Sequence, residues 1–506
     1  MKKPSVYIIK NADHAAFQQV VATIGERAWV IDTETNGLMV RSGLHTAKLI
    51  GLTPVGTSAC FIWERGEFER QGIREVVAGL HLIGHNVRFD FHALGIVPDR
   101  WDDTMLHLAH TCTSQPLSLD DQARAMRWAK IKTSPLLKSR NKWEENRIAD
   151  MDVGQLDLYL WDDCVFTGIL WQRIQKSPWA DMDRRTENAV RRMEARGVRL
   201  YADGLAEFER LGLAKLDDAV RVLDAYGFAG GNFNSPQQVG AWLVGQGTKL
   251  KRNPKTKNWK TDKVSLQRLA DDGDEKVIAL FAARTAHKLG VSLVSNLTSF
   301  REAEGDGCIY PSVRTTGART GRFSYSDPPL QQIPKHDTVL GPAARRMFGA
   351  RDGYTAGADF SQVELRVIAA LSNEPVLLDA FAQGRDPHAE TAAGMFGVEL
   401  ANVSEQQRFS AKAINFGIPN GMKERRLAVI LKCSTAEATR YLNNHRAALP
   451  TMHDWMARTW EEGERYRVVS TLSGRTRVFT AGESTLPAVS QKMQGTAAEL
   501  MRAALI

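Results

Sequence analysis

Residues 356–372, AGADFSQVELRVIAALS, place one acidic residue, Asp359, at the end of a short apolar run. Short apolar runs bounded by glycine and polar residues are typical of buried strands. We therefore expect Asp359 at the tip of a buried strand, followed by Glu364 and Arg366 among aliphatic side chains. A carboxylate in that position favours a divalent metal site, but single carboxylates hold such metals weakly. The stretch therefore raises the question of where a second acidic ligand lies.

The composition is that of a globular protein. The chain has 506 residues, of which 43% are hydrophobic and 25% charged, enough for roughly two to four domains. Its apolar runs fall short of the roughly 20 residues that cross a bilayer, so we predict neither membrane anchor nor secretion signal. The five cysteines are scattered, without a C-x-x-C pair. That pattern disfavours a disulfide framework and a zinc site, and suits a reducing interior.

The charge is positive and unevenly distributed. The net charge of +8 agrees with a polyanionic partner such as nucleic acid, although many basic proteins bind none. Residues 249–260, KLKRNPKTKNWK, contain six cations and no anion, beginning with Lys249, Lys251 and Arg252. Two interpretations of this segment stay open at this point, a solvated loop and a contact to phosphates.

Residues 28–40, AWVIDTETNGLMV, predict a buried strand that ends on two acids. Asp32 and Glu34 are two positions apart, so their side chains lie on the same face of that strand. Two carboxylates that face one way repel each other unless a cation joins them. The pair therefore favours a metal site, although Asp32 taken alone is equally well explained as a polar strand end.

Two further pairs of polar residues follow in the first third of the chain. In residues 80–95, LHLIGHNVRFDFHALG, an apolar strand precedes Asn86 and Asp90, which have helical spacing. In residues 157–170, DLYLWDDCVFTGIL, Tyr159 and Asp163 are four positions apart and so share one face of a helix. Each pair alone has an ordinary structural explanation, but D-x-E, N-x-x-x-D and Y-x-x-x-D in this order are improbable as an accident.

This series of motifs resembles the 3′–5′ exonuclease domain of proofreading DNA polymerases. The resemblance implies phosphodiester hydrolysis with two Mg²⁺ ions, or Mn²⁺, because hard cations prefer carboxylate oxygens. It assigns the first metal to Asp32, Glu34 and Asp163, and the second to Asp32 with Asp90. It assigns orientation of the attacking water to Tyr159.

The middle of the chain resembles the thumb of family A DNA polymerases. Residues 184–201, RRTENAVRRMEARGVRLY, predict a charged helix that ends at Gly197, and we place a domain boundary at residue 183. In NFNSPQQVGAWL, Ser235 and Gln238 predict a capping box. Residues 274–297 predict a helix. In a thumb, the basic segment 249–260 would follow the phosphates of the duplex.

Closer matches to family A, the DNA polymerase I-like enzymes, begin with RTTGARTGRFSYSDPPLQQIP at 314–334. The resemblance implies that Arg322 reaches the minor groove at the primer terminus, where base identity is poorly encoded. It implies that Asp359 is the first catalytic aspartate and a metal ligand. It implies that Glu364 is a steric gate, which occupies the space of a ribose 2′-hydroxyl and so selects deoxynucleotides.

Residues 408–422, RFSAKAINFGIPNGM, place Arg408, Lys412 and Phe416 at four-residue spacing. Cations one helical turn apart repel, so the spacing favours a triphosphate between them. By resemblance His388 joins the two cations on the phosphates, Phe416 packs on the nucleotide, and Gln494 contacts DNA. Pro419 departs from the family pattern and predicts that the helix kinks or ends there.

The family completes its polymerase site with a His-Asp-Glu hairpin that follows the helix containing Gln494, and this chain ends within that helix. We therefore expect an incomplete palm and very weak polymerisation by this chain alone. Three interpretations stay open. The chain is the larger part of a phage-like polymerase that was interrupted or is completed by a second polypeptide, or an exonuclease with a DNA-holding polymerase remnant, or a non-catalytic DNA-binding scaffold, which the full set of exonuclease acids disfavours.

The expected fold class is mixed α/β, with a ribonuclease H-like 3′–5′ exonuclease domain and a right-hand polymerase domain. The expected domains are the exonuclease at 1–183, the thumb at 184–300, and palm and fingers at 301–506. The expected function is template-directed DNA polymerisation with proofreading in bacteriophage DNA replication. Primer–template DNA and deoxynucleoside triphosphates are the expected partners, without a membrane, in the cytoplasm of the host cell.

Overall fold

The computed structural model describes residues 3–37, 40–43, 45–111, 116–130, 153–335 and 337–506. The chain forms two compact units, each assembled from separate segments. Unit 1 comprises Met1–Ala195, Val313–Ser324 and Ala358–Ile506, and unit 2 comprises Arg196–Ser312 and Tyr325–Gly357. The predicted boundary at residue 183 falls within a helix that runs from Ala180 to Arg196, and the three-domain division stays a prediction.

The first segment of unit 1 is an α/β structure. Its elements among the described residues are β1 (Tyr7–Lys10), α1 (His14–Ile24), β2 (Trp29–Thr35), β3 (Ala47–Pro54), β4 (Ala59–Glu64), α2 (Arg65–Arg70), α3 (Ile73–Ala78), β5 (His81–Gly84), α4 (Arg88–Leu94), β6 (Arg100–Asp103), α5 (Thr104–Thr111), α6 (Leu119–Ala125), α7 (Val153–Arg173) and α8 (Ala180–Arg196). The six strands form one mixed sheet in the order β1-β4-β3-β2-β5-β6.

Strand β2 lies inside this sheet, antiparallel to β3 and parallel to β5. Its side chains alternate between two cores, as the period of a strand requires. Trp29 and Ile31 belong to the core that also contains Phe91 of α4, whereas Val30 belongs to the core that contains Leu160 of α7. The predicted buried strand is therefore confirmed, and both of its faces are covered by helices.

Residues 196–357 contain mainly helices. The elements are β7 (Val198–Leu200), α9 (Ala202–Ala225), α10 (Pro236–Gly245), α11 (Lys263–Asp271), α12 (Glu275–His287), a π-helical turn (Lys288–Leu293), α13 (Val294–Glu304), β8 (Cys308–Ile309), β9 (Ser312–Arg314), β10 (Ser324–Ser326), a 3₁₀ turn (Leu330–Gln332), α14 (Leu340–Arg346) and β11 (Phe348–Gly349). The predicted helix at 274–297 is confirmed by α12, the π turn and α13.

The continuous helix Glu275–Glu304 is long and apolar enough to cross a membrane, judged by length and composition alone. Core helices of proteins without a membrane span pass the same test. Here Val277, Leu280 and Ala283 are buried in one cluster with Leu223 of α9. Packing within unit 2 therefore accounts for the apolar face of this helix.

The predicted cap of α10 is confirmed, but the predicted capping box is wrong. The Ser235 hydroxyl accepts a hydrogen bond from the backbone N–H of Gln238, 3.4 Å away. The Gln238 side chain does not return to Ser235. It accepts from the backbone N–H of Asn232 at 2.6 Å, because the chain turns back there and brings that N–H closer.

The last segment of unit 1 is again mainly helical. Its elements are α15 (Val363–Ser372), α16 (Pro375–Ala382), α17 (Pro387–Phe396), a 3₁₀ turn (Leu400–Asn402), α18 (Glu405–Gly417), a 3₁₀ turn (Ile418–Asn420), α19 (Glu424–Leu431), α20 (Thr435–Ala448), α21 (Pro450–Tyr466), β12 (Val468–Ser470), β13 (Thr476–Val478) and α22 (Ala488–Leu505). Helix α18 ends two residues before Pro419, as predicted, because proline cannot continue its hydrogen bonds.

Candidate active site

Two groups of predicted site residues come together, both in unit 1. The first group lies where β2 meets α4 and α7. Asp32 and Glu34 lie on the face of β2 that packs toward α7, since they alternate with Ile31 and Thr33. Helix α7 carries Tyr159 and Asp163, and their four-residue spacing places both side chains on one face of the helix. The predicted clustering of these acids is therefore seen in the electrostatics of the site.

Burial makes this acidic group costly when it is ionised. Burial, followed by the charges of Asp163 and Asp90, raises the pKa of Glu34 to about 8. Burial and the same neighbours raise the pKa of Asp32 well above its ordinary value. Burial also raises the pKa of Asp163 to about 6 and that of the Tyr159 hydroxyl. Like charges in a desolvated site favour either protonation or a bound cation.

Asp90 joins the group from the other side of β2. It is buried on α4, and one of its carboxylate oxygens accepts a 2.6 Å hydrogen bond from the Thr33 hydroxyl. Burial raises the pKa of Asp90 to about 7, although the bond from Thr33 opposes this shift. The expectation of helical spacing for Asn86 is wrong, since Asn86 precedes α4 in a left-handed conformation, φ 66°. The contact of Thr33 with Asp90 was not predicted, although the alternation of a strand places the Thr33 side chain on the other face of β2 from Asp32.

Lys130 supplies the cation of the acidic group. Its ammonium nitrogen lies 2.7 Å from an oxygen of Asp163 and 2.8 Å from one of Asp120, and 5.4 Å from the centroid of the Tyr159 ring. Its charge lowers the pKa of Asp32 and of Glu34 against the dominant effect of burial. The sequence offered no signal for this residue, because no spacing relates Lys130 to the acids.

The donor set fits a hard divalent cation. Carboxylates that repel one another, with raised pKa values and an ammonium group beside them, are a suitable set of oxygen ligands for such an ion. The side chains are not arranged as a finished cage. Among the described residues, no three His, Cys, Asp or Glu side chains are grouped closely enough to coordinate one ion. Asp90, held by Thr33, would have to turn toward the others.

The second group lies on α18. Arg408 and Lys412 are exposed on one face of this helix, and Phe416 is 38% exposed one turn further on. The side chain of Arg408 is held by Asp386, the N-cap of α17, which bonds to its guanidinium. The predicted common face of the two cations and Phe416 is therefore confirmed. Such a face can bind an anionic ligand with an aromatic contact at one end.

His388 is buried beside this face. It begins α17 and is 2% exposed, and its ring centroid lies 5.5 Å from that of Phe416. Its Nδ1 atom lies 3.1 Å from the amide nitrogen of Asn415. Burial, opposed by the charge of Asp386 and assisted by those of Arg408 and Lys412, lowers the pKa of His388 to about 4. The ring is therefore a neutral neighbour of the two cations rather than a third cation.

The residues predicted to act at the polymerase centre are only partly assembled. Glu364 lies in the first turn of α15 and forms an ion pair with Arg322. Among the described residues, Arg366 pairs with no carboxylate. Its guanidinium donates to the backbone carbonyl of Ser361, just before α15, at 3.0 Å and lies over the ring of Phe381 on α16.

The prediction that Asp359 ends a buried strand is wrong. Residues 351–360 are exposed and form no strand, and no described segment pairs with them. An apolar run becomes a strand only when another strand accepts its backbone hydrogen bonds. Gln494, on α22, donates from its side chain to Asn420 at 3.2 Å, so the end of α18 and α22 are in contact.

The basic segment belongs to unit 2. Lys249, Lys251 and Arg252 are exposed. A single bridge pairs Arg252 with Trp259, and the guanidinium lies 3.7 Å above the indole ring. The segment is therefore an ordered turn with its ammonium groups in solvent, an arrangement that suits contacts to phosphates.

Comparisons with known proteins give a consistent answer. Residues 213–506 match the DNA polymerase family A model. DNA polymerase I of Pseudomonas aeruginosa is 34% identical over 360 residues, covering 67% of this chain and 38% of that protein. The thermostable DNA polymerase I of Thermus aquaticus is 32% identical over 357 residues, covering 67% and 42%. DNA polymerase I of Chloroflexus aurantiacus is 30% identical over 549 aligned positions, covering 99% and 57%.

The chain therefore spans about two fifths of the length of the first two of these relatives. A solved structure, described as the POL domain of Pol1 from M. smegmatis in complex with DNA primer-template and dNTP, superposes with a TM-score of 0.76 at 21% identity. It covers 98% of this chain, and this chain covers 88% of it. The mixed α/β fold therefore matches that polymerase domain.

Proposed function

We propose a function from one premise, that this chain belongs to DNA polymerase family A. The function is template-directed addition of deoxynucleotides to a DNA primer, coupled to 3′–5′ removal of misincorporated ones. The observation that carries the polymerase part is the exposed face of α18, where Arg408 and Lys412 lie one turn apart and Phe416 follows. Two cations and an aromatic ring in this order suit a triphosphate with its base and sugar.

Residues around α18 and α15 receive roles in this proposal. Arg408 and Lys412 bind the triphosphate, and Asp386 keeps the Arg408 guanidinium in place until the nucleotide arrives. Glu364 limits the space beside the nucleotide sugar, and its ion pair with Arg322 fixes its rotamer. Asp359 lies in an exposed segment and would hold a divalent metal. The metals of the family activate the primer hydroxyl and neutralise the triphosphate.

The exonuclease part of the proposal is supported by four carboxylates around β2, of which two are buried and two half-buried. Asp32, Glu34, Asp90 and Asp163 would hold Mg²⁺ or Mn²⁺, which generates hydroxide and stabilises the leaving oxygen. Tyr159 stands next to Asp163 on α7 and would donate to the attacking water. A binding module has no need of four carboxylates that repel one another in a desolvated site. The mixed sheet beneath them supports the predicted ribonuclease H-like domain.

Lys249, Lys251 and Arg252 of unit 2, with Gln494 of unit 1, are proposed DNA contacts. The comparisons give no support to a second polypeptide, and action in phage replication in the host cytoplasm stays a prediction.

The test is a primer assay with the purified chain, Mg²⁺ and a 5′-labelled primer annealed to a longer template. Three proteins are compared with and without deoxynucleoside triphosphates: the wild-type chain, Asp32→Ala and Lys412→Ala. We expect shortening of the primer that Asp32→Ala abolishes and Lys412→Ala leaves intact. We expect any extension to show the opposite pattern. Extension by the wild-type chain would show that the expectation of an incomplete centre is wrong. Shortening that persists in Asp32→Ala would overturn the exonuclease proposal.

A further inference from the structure

A chain of buried polar side chains runs behind the nucleotide-binding face of α18. It consists of His453 on α21, His445 on α20, Asn415 on α18 and His388 on α17. His453 Nε2 lies 2.8 Å from His445 Nδ1, and His445 Nε2 lies 2.8 Å from Asn415 Oδ1. Asn415 Nδ2 lies 3.1 Å from His388 Nδ1. All four residues are at least nine-tenths buried.

A neighbouring hydroxyl determines which way the Asn415 amide is turned. Thr391 donates its hydroxyl hydrogen to the Pro387 carbonyl, 2.7 Å away. Its oxygen therefore acts as an acceptor toward Asn415, and the atom of Asn415 that lies 3.1 Å from it must be the N–H₂ group. The same N–H₂ group then donates to His388 Nδ1. The Nδ1 atom of His388 consequently carries no hydrogen, and the hydrogen of the ring is on Nε2.

The oxygen of the Asn415 amide determines which ring nitrogens of His445 and His453 carry hydrogen. Asn415 Oδ1 can only accept, so His445 donates from Nε2. Burial, with the adjacent His453, lowers the pKa of His445 to about 3, so that ring is neutral and its Nδ1 accepts from His453. Burial lowers the pKa of His453 to about 4 as well. Every hydrogen bond in the chain therefore has one donor and one acceptor, with a single arrangement of the hydrogens.

We propose that Asn415, His445 and His453 are positioning residues that hold His388 as a neutral ring whose Nε2–H donates to a phosphate oxygen of the incoming nucleotide. The inference rests on the proposed function, because it assumes that a triphosphate lies along α18. Among the described residues, none accepts a hydrogen bond from His388 Nε2, and the ring lies within the electrostatic reach of Arg408 and Lys412. A neutral donor there adds direction without adding a third charge.

The arrangement makes nucleotide binding insensitive to the titration of His388. In Asn415→Asp the carboxylate accepts from Nδ1, so the neutral ring has its hydrogen on Nδ1 and no donor on Nε2. Only the imidazolium form of this variant can donate, and that form is lost as the pH rises. The charged groups that face the chain are Asp386, Arg408 and Lys412 at His388, and Arg446, Asp454 and Glu374 at His453.

The first experiment observes the hydrogens directly in the full chain. Protein labelled with ¹⁵N-histidine is examined by two-bond nitrogen–proton correlation spectra from about pH 6.5 to about pH 8.5, and His388→Gln identifies the signal. We expect a protonated Nε2 and a bare Nδ1 throughout, unchanged in His445→Gln, whose amide can still donate to Asn415, and replaced by a protonated Nδ1 in Asn415→Asp, whose carboxylate accepts from it. A wild-type His388 that is protonated on Nδ1, or that titrates in this range, would overturn the proposal.

The second experiment measures binding of a Mg²⁺–deoxynucleoside triphosphate to the chain on a primer–template whose primer lacks the 3′-hydroxyl. Wild-type affinity should stay within about twofold between pH 6.5 and pH 8.5, whereas Asn415→Asp should lose about tenfold over this range, the value of one charge-assisted hydrogen bond. An Asn415→Asp profile parallel to wild type would contradict the proposal. If the wild-type chain binds no nucleotide, the proposed function fails, and the spectra still decide how His388 is protonated.

Discussion

At the scale of the residue, the acidic site places carboxylates where their charges repel one another. Asp32 and Glu34 of β2 are half-buried, Asp163 of α7 is buried, and each has a raised pKa. Residues selected for stability alone would not be placed this way. Either protonation or a bound cation relieves this repulsion, which makes the stability of the folded chain depend on pH and on divalent ions.

Glu34→Gln should therefore flatten the pH dependence of stability in the absence of metal. The folded state keeps a proton on Glu34 up to about pH 8, whereas the unfolded chain releases it near its ordinary value. Between these values the folded state binds more protons, so the free energy of unfolding falls as the pH rises. Urea unfolding at pH 5 and pH 8 should show a decrease smaller by at least about 1 kcal/mol in the variant.

The matched control for this measurement is Glu461→Gln, an exposed acid on α21, which should keep the wild-type slope. Addition of Mg²⁺ at pH 8 should stabilise the wild-type chain more than Glu34→Gln. Equal slopes in all three proteins would mean that Glu34 ionises freely in the folded state.

Lys130→Met should strengthen binding of Mn²⁺ to the acidic site. The Lys130 ammonium lies 2.7 Å from Asp163, so an incoming ion must displace it toward Asp120. Calorimetric titration without DNA should show affinity raised by about threefold to tenfold, an order of magnitude that fits a partly buried charge pair. Lys3→Met, which removes a cation paired with the neighbouring Asp162 at 2.8 Å, should leave it unchanged. Weaker binding in Lys130→Met would show that the ammonium assists the metal.

At this scale the sequence predicted residues whose spacing is periodic. Asp32 and Glu34 follow the period of a strand, and Tyr159 and Asp163 the period of a helix. Lys130 and Asn415 could not be found in this way, because their roles come from partners far along the chain, Asp163 and His445. Side-chain contacts between distant segments are outside the reach of local patterns.

At the scale of the element, α18 has a capping box at its N-terminus and a proline just beyond its C-terminus. Ser404 and Gln407 form a complete capping box at its first turn, and Pro419 follows its last. The helix is thus defined on both sides, and the position of Arg408 in its first turn depends on the cap. Proline alone predicted the end of α18, whereas the capping box predicted for α10 is wrong, because the Gln238 side chain accepts from Asn232 instead.

Ser404→Ala should cost about 1 kcal/mol of stability, the usual contribution of an N-cap, and should weaken binding of a deoxynucleoside triphosphate, since Arg408 lies in the frayed turn. Ser434→Ala removes an equivalent capping box from α20 and serves as the control for stability alone. Unfolding midpoints and nucleotide affinity are measured for both. An equal loss of affinity in both variants would mean that the cap of α18 has no specific part in binding.

The wrong prediction of a strand ending at Asp359 is also explained at the scale of the element. Residues 356–360 have the apolar character of a strand, but their backbone groups find no partner among the described residues. Helical elements such as α18 satisfy their own hydrogen bonds and can be predicted from a local pattern. A strand depends on a neighbour that local reasoning does not supply.

At the scale of the whole molecule, the buried side chain of Arg502 links the three segments of unit 1. Arg502 on α22 is 3% exposed, pairs with Asp183 of α8 at 3.4 Å and donates to the carbonyl oxygen of Thr315. Asp183 also contacts His110 of α5 at 2.8 Å. Three separate stretches of sequence therefore meet at one guanidinium. The predicted boundaries at residues 183 and 300 came from a charged helix and from a resemblance between contiguous segments, whereas the units follow contacts between distant segments.

Arg502→Met should lower the stability of unit 1 by about 3 kcal/mol or more, since it leaves Asp183 buried with its charge uncompensated. Thermal unfolding of the full chain is the measurement, and Asp183→Asn combined with Arg502→Met should recover part of the loss. Arg458→Met on the surface of α21 is the control. A loss below about 1 kcal/mol would mean that water or His110 already neutralises Asp183.

The alternation of segments between the units also has consequences for biosynthesis. The backbone passes from unit 1 to unit 2 and back twice before Ala358. During synthesis, every residue of unit 2 is made before α15 to α22, so Asp183 of α8, which is made early, meets Arg502 only after the last helix has been made. No single cut in the gene separates the two units, and a gene fragment that encodes unit 2 alone must join its two segments at one new junction.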